Sequence, residues 1–204
     1  MINSLNVNIF ADGADFRIMQ DLNKKEYIKG FTTNPSLLKK AGVKDYLDFA
    51  KSAAKAFSNK SLSLEVISDE GEQMEEEARI LSELGKNIMV KIPIVNSKGQ
   101  STIESIHRLS NEGINLNITA VFTKRQAEEA ISVLSKDTLN YISVFAGRIA
   151  DTGRDASKTI REIVKMGKNY SNIFVLWASC REVYNIIEAD QCGCHIITVT
   201  SDIL

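Results

Sequence analysis

The chain has 204 residues, 44% hydrophobic and 25% charged, with 25 Lys and Arg against 26 Asp and Glu for a formal net charge of −1. These proportions describe one globular domain over residues 1–204 with ample material for a core, and the evenly spread charges lack the basic clusters interleaved with aromatics that polyanion binding needs, so neither nucleic acid nor an anionic membrane is an expected partner. No apolar run approaches the roughly 18 residues of a membrane span, and the N-terminus lacks a basic segment followed by an apolar signal core, so a cytoplasmic protein is expected.

Short β-branched runs alternate with amphipathic helical patterns along the chain. The first strand is expected at Val7–Phe10, with Asp12 just beyond it and Phe16, Met19 and Leu22 at helical spacing. The second, Gly30–Thr33, leads through Thr32 into Asn34-Pro35-Ser36, a pattern whose commonest use is a turn. The third, Leu62–Ile67, is apolar except for serine and Glu65, and the fourth, Ile88–Pro93, carries Lys91 where hydrocarbon is expected. Ser101-x-x-Glu104 reads as a capping box for the next helix, and Gly113 falls where that helix should stop. The fifth strand, Leu116–Phe122, sets Asn117 and Thr119 on one face by the two-residue period, and Thr123-x-x-Gln126 reads as a second capping box. The sixth, Tyr141–Gly147, sets Ser143 and Phe145 on one face and is closed by Arg148. After the seventh, Ile173–Ala178, a third capping pattern, Ser179-x-x-Glu182, marks an expected helix start, and the eighth strand is His195–Thr200. Cys180, Cys192 and Cys194 with the single nearby His195 do not match a zinc pattern and are read as reduced packing thiols.

Eight strands joined by helical crossovers predict a (β/α)8 barrel. A doubly wound open sheet is the alternative, but it would want a Gly-rich phosphate loop, and neither G-x-G-x-x-G nor G-x-x-x-x-G-K-[ST] occurs. The sequence given stops at Leu204, directly after the eighth strand, so the eighth helix is expected to be lacking, through truncation or because a neighbouring subunit covers that face.

In such a barrel chemistry collects at the carboxyl ends of the strands, where Asp12, Thr32, Asn34, Glu65, Lys91, Asn117, Thr119, Ser143 and Arg148 all fall. Burying an ammonium favours its neutral amine, the nucleophile that forms Schiff bases with carbonyl compounds; a structural ion pair of Lys91 with Glu65 across adjacent strands is the other reading. Ser179 and Arg181, at the expected helix start, suggest a phosphate cradle.

Gly30-Phe-Thr-Thr-Asn-Pro-Ser36, Val90-Lys-Ile-Pro93, Asn115-Leu-Asn-Ile-Thr-Ala-Val-Phe122, Ile142-Ser-Val-Phe-Ala-Gly-Arg-Ile149 and Ala178-Ser-Cys-Arg181 resemble the successive signature segments of the transaldolase family, in order, from about Val7 to Asp202. The resemblance implies a class I, Schiff-base barrel enzyme of carbohydrate metabolism, in the pentose phosphate pathway, that moves a dihydroxyacetone unit between sugar phosphates without a metal or organic cofactor. It implies the Schiff-base lysine at Lys91, proton transfer at Asp12, a catalytic water between Glu65 and Thr119, and donors to substrate hydroxyls at Asn34, Asn117 and Ser143. Thr32 and Phe145 would line the substrate site, Arg148, Ser179 and Arg181 would hold its phosphate, and a homo-oligomer is expected.

The family also includes fructose 6-phosphate aldolases, similar to this chain but with glutamine and tyrosine where Glu65 and Phe145 stand, so the resemblance favours transfer over release of dihydroxyacetone. Val144 stands where the family usually has proline, Cys180 where an aromatic is common, and Trp177 adds bulk at the end of the seventh strand. A lyase of the aldolase kind, or a sugar-phosphate-binding barrel without catalysis, are the alternative functions.

Overall fold

A computed structural model describes residues 4–204. Among them, strands β1 (Asn8–Asp12), β2 (Ile28–Thr32), β3 (Ser61–Glu65), β4 (Ile88–Pro93), β5 (Leu116–Val121), β6 (Asn140–Val144), β7 (Ile173–Trp177) and β8 (Ile196–Thr200) alternate with helices. The helices are α1 (Phe16–Asn23), α2 (Pro35–Lys40), α3 (Tyr46–Ala56), α4 (Gly71–Ser82), α5 (Ile103–Asn111), α6 (Lys124–Val133), α7 (Ala146–Asp151), α8 (Ala156–Gly167) and α9 (Tyr184–Gln191). The strands are parallel and close in sequential order, β8 returning to β1 in the register Asn8↔Ile196 through Asp12↔Thr200. The fold is the expected (β/α)8 barrel; after β8 the chain continues as a turn over residues 201–204. No helix among the described residues is long and apolar enough to cross a membrane.

Local chemistry explains most boundaries. Asp15, Asn34, Asp45, Thr123 and Asp155 each accept first-turn backbone N–H groups with a side-chain oxygen, and Pro35 occupies the first turn of α2, where a missing N–H costs nothing. At α6 the box is complete, Thr123 and Gln126 each capping the other's backbone. The other two expected boxes do not form. Thr102, not Ser101, caps α5 without a side-chain bond, and Ser179 lies well before α9, which starts at Tyr184. Gly113 does follow α5, with φ of 87°.

Each strand turns one face to the helices and one to the lumen. The outward set (Ile9, Phe31, Leu64, Val90, Ile118, Ile142, Val175 and Ile197 among it) joins the buried faces of the helices in the main core. The lumen divides by height. Its amino-terminal floor is a separate apolar cluster of Phe10, Met89, Tyr141, Leu176 and Ile196, with Ala178 above it. Gly30 makes room for this floor, since a Cβ there would lie 2.6 Å from the Phe10 ring. Two residues further along β1, β2, β4, β6 and β8 the lumen becomes polar.

Three strands end two or more residues from where expected, and β2, β5 and β7 end one residue early. β1 runs on through Asp12, β3 stops at Glu65, and β6 stops at Val144, where the chain turns at once into the short helix α7. Phe145 caps α7 and Arg148 lies within it, so neither is a strand residue. The cause is close packing: at Gly147 a Cβ would lie 1.8 Å from the Ser179 carbonyl oxygen, so only glycine lets α7 sit against the end of β7.

Candidate active site

The polar half of the lumen opens into a cavity of about 500 Å³ at the carboxyl ends of the strands. Lys91, 7% exposed, stands at its centre on β4. Strand register sets Lys91 beside Glu65 of β3, and their side chains meet at 2.9 Å, Nζ to Oε2. The ammonium also donates to the Thr33 carbonyl oxygen at 2.8 Å. Glu65 is held from behind by Tyr46 of α3, whose hydroxyl donates to the Glu65 carbonyl at 2.7 Å; burial pushes the Tyr46 phenol far up, so it remains a donor.

Asp12 ends β1 and accepts a hydrogen bond from the Thr32 hydroxyl at 2.7 Å. Burial raises the Asp12 carboxyl above its ordinary range, and the Lys91 ammonium opposes that rise. On the other side of Lys91 the Ser143 hydroxyl donates to Asn117 Oδ1 at 2.6 Å, and Asn117 Nδ2 donates to Ser63 Oγ at 3.0 Å. The carboxamide of Asn117 is thereby oriented, with one N–H left over. Ser143 was expected as a donor toward substrate, but its single hydrogen goes to Asn117, so its oxygen is left to accept. Thr32 is spent the same way on Asp12. Asn34 keeps both donors, since its Oδ1 alone is used, accepting from Leu37 N at 3.0 Å.

Thr119 lines the cavity with a buried hydroxyl that has no partner among the described residues. Just beyond it Ala120 takes φ of 55°, and the β5–β6 register slips between Ile118 and Val121. This bulge bends the strand at the rim beside Thr119.

At the mouth, Phe145, Arg148 and Ser179 line the cavity. Phe145 packs edge-on against Phe122 at 5.7 Å between centroids. Among the described residues no carboxylate pairs with Arg148, although Asp151 lies one turn on; Asp151 pairs instead with Arg181. Arg181 does not line this cavity. It borders a different recess, beside Arg154 and Trp177, because the chain after β7 reverses at Ser179 (φ 63°) rather than starting a helix there. Arg181 N and Glu182 N both bond to Asn185 Oδ1 at 2.8 and 3.3 Å, so the first free N–H groups are already capped.

Two hydroxyls of the site escaped the sequence reading, Thr198, which lines the cavity, and Ser63, which sits behind Asn117 and accepts from it. Thr198 sits in the apolar run Ile196-Ile-Thr-Val-Thr200 and Ser63 in Leu62-Ser-Leu64, each reading as an ordinary strand residue. The signal was the two-residue period, which puts Ser63 on the face of Glu65 and Thr198 on the face of Ile196. Elsewhere the cysteines are free, with burial pushing the Cys194 thiol up to about 12. No three His, Cys, Asp or Glu cluster as metal ligands among the described residues.

The chain is thus a closed parallel (β/α)8 barrel with a buried lysine and two carboxylates at its carboxyl rim. The solved structure of 3-hexulose-6-phosphate synthase from Salmonella typhimurium superposes with a TM-score of 0.64 at 13% identity, covering 96% of this chain and 89% of that one, a likeness of fold alone. A probable transaldolase of Thermoanaerobacter sp. (strain X514) is 35% identical over 97% of this chain and 88% of its own length. One of Sulfurihydrogenibium sp. (strain YO3AOP1) is 33% identical over 97% and 87%. Residues 9–204 match the family described as Transaldolase/Fructose-6-phosphate aldolase. The chain belongs to that family, and a transaldolase-like function goes with it.

Proposed function

We propose that the chain is a class I transaldolase, a single barrel domain that transfers a dihydroxyacetone unit from a ketose phosphate to an aldose phosphate through a Schiff base on Lys91. The observation that carries this reading is the burial of Lys91 in the cavity with its Nζ 2.9 Å from Glu65. A carboxylate in contact with the nitrogen can take its proton, leaving the amine to attack the ketose carbonyl carbon, and can return a proton to the departing hydroxyl of the carbinolamine as water leaves. The unpartnered Thr119 hydroxyl supports a water held between it and Glu65.

The iminium then withdraws electrons, the C3–C4 bond breaks as Asp12 removes the C4 hydroxyl proton, and an aldose phosphate departs. The enamine left on Lys91 attacks a second aldehyde, Asp12 returns the proton to the new alkoxide, and hydrolysis of the imine restores the amine. Asn34 and the remaining N–H of Asn117 are donors for substrate hydroxyls, with Ser143 an acceptor. Arg148 and Ser179 form the phosphate site; Arg181 would have to leave Asp151 to join them.

Two features favour transfer over release of free dihydroxyacetone. Glu65 is ionisable, and Phe145 puts no phenol at the cavity wall to protonate the enamine. The hydroxyls of Tyr46 and Tyr141 are turned elsewhere, to the Glu65 carbonyl and to Ser61.

The test is intact mass after incubation with fructose 6-phosphate and borohydride, with Lys91→Ala as control. An adduct on the wild type alone is expected. Its absence from a folded wild type would overturn the Schiff-base reading, and turnover without any acceptor aldehyde would move the assignment to the lyase.

A further inference from the structure

We propose that Thr198 is a positioning residue that acts through Thr32 to orient Asp12 and hold it ionised. This inference rests on the proposed function for its kinetic part and on geometry for the rest. Thr198 is buried on β8, lines the cavity, and makes its hydrogen bond to the Thr32 hydroxyl. Thr32, on β2, bonds in turn to Asp12 on β1, so the three groups bridge three consecutive strands around the barrel seam.

Each threonine has one hydrogen to give. Thr32 gives its hydrogen to the Asp12 carboxylate, so Thr198 must donate to Thr32. A donor that is itself receiving a hydrogen bond is polarised and bonds more strongly, and the gain is larger for a charged acceptor. Thr198 therefore stabilises the ionised form of Asp12 without touching it. That form needs the help: burial raises the Asp12 carboxyl, the nearby Glu65 adds to the rise, and Lys91 works against it. Asp12 also borders the recess whose rim carries Asp15, Lys40 and Asp202.

The position of Thr198 limits it to an indirect role. Register pairs it with Phe10, two residues below Asp12, at the height where the apolar floor gives way to the site. From there its hydroxyl locks one rotamer of Thr32, and Thr32 locks the carboxylate.

The test is Thr198→Val, close in shape and lacking only the hydroxyl, in the full chain. Carboxyl carbon-13 titration of aspartate-labelled protein reads Asp12 directly, its resonance assigned by loss in Asp12→Asn. The Asp12 midpoint is expected to rise by about half to one pH unit. The acid limb of the kcat profile should move up with it, and kcat at its plateau should fall by about 3–10-fold, the worth of one hydrogen bond, with KM within about twofold. Thr198→Ser should restore both, and Thr198→Ala should repeat the shift. An unchanged Asp12 midpoint in folded Thr198→Val, or a shift in Val but not in Ala, would overturn the proposal. The titration needs no turnover: a wild type that forms no borohydride adduct ends the Schiff-base reading while leaving the Asp12 midpoint to decide on Thr198.

Discussion

The floor and the roof of the barrel lumen are built from the same strands, two residues apart. On β1 the step is from Phe10 to Asp12, on β2 from Gly30 to Thr32, on β4 from Met89 to Lys91, on β6 from Tyr141 to Ser143, and on β8 from Ile196 to Thr198. Below, aromatic and aliphatic side chains fill the lumen, and Phe10 and Tyr141 meet edge to face at 6.0 Å. Above, an ammonium, two carboxylates and several hydroxyls share a cavity, which costs stability wherever charge is desolvated. The lower layer supplies rigidity, so the upper one can hold polar groups in fixed places.

This contrast can be broken from either side. The largest effect is expected from Lys91→Met, which should abolish imine formation, read by borohydride trapping. It should also destabilise the fold, because Glu65 is left without its partner; Lys91→Met with Glu65→Leu should recover that stability in denaturant unfolding while remaining inactive. In the floor, Phe10→Ala should cost about 3–5 kcal/mol in the same assay, with loss of catalysis only in proportion to unfolding. At the mouth, Arg148→Ala should raise KM for a phosphorylated donor by about 10–100-fold, the range for a charge-assisted hydrogen bond, and leave that for an unphosphorylated ketose nearly unchanged.

Asp12→Asn should be inactive yet raise Tm at neutral pH. The folded-state Asp12 carboxyl lies above its ordinary value of 3.8, so between the two values the native state holds more protons than the unfolded chain and stability falls as pH rises. The advantage of the variant should therefore vanish as pH drops below the unfolded value. The smallest change is expected from Phe145→Tyr, which should raise acceptor-free release of dihydroxyacetone; an unchanged rate would remove Phe145 as the determinant of transfer.

Much of this was legible in one dimension. Periods of two and of three to four residues, set by side-chain direction along strand and helix, were enough for eight strands, the barrel and several of the helices between the strands. They also placed Lys91, Glu65, Asn117, Thr119 and Ser143 on the lumen face, because a two-residue period is local. Asn34 was legible as a break before Pro35, though its use as a helix cap depends on the turn it enters.

What only tertiary structure decided are contacts between distant segments. β6 ends early because α7 must pack its Gly147 against the Ser179 carbonyl, a contact 32 positions apart in the chain that no window of sequence contains. That same packing leaves Arg148 at the cavity mouth, while the reversal at Ser179 sends Arg181 to Asp151. Ser63 and Thr198 look like any strand hydroxyls until barrel closure carries them to Asn117 and Thr32, 54 and 166 residues away. Side-chain alternation is a property of the local backbone and is written in neighbouring residues. Which hydroxyl gives its hydrogen to which partner depends on how the ring of strands closes, and that is fixed only when the first and last strands meet.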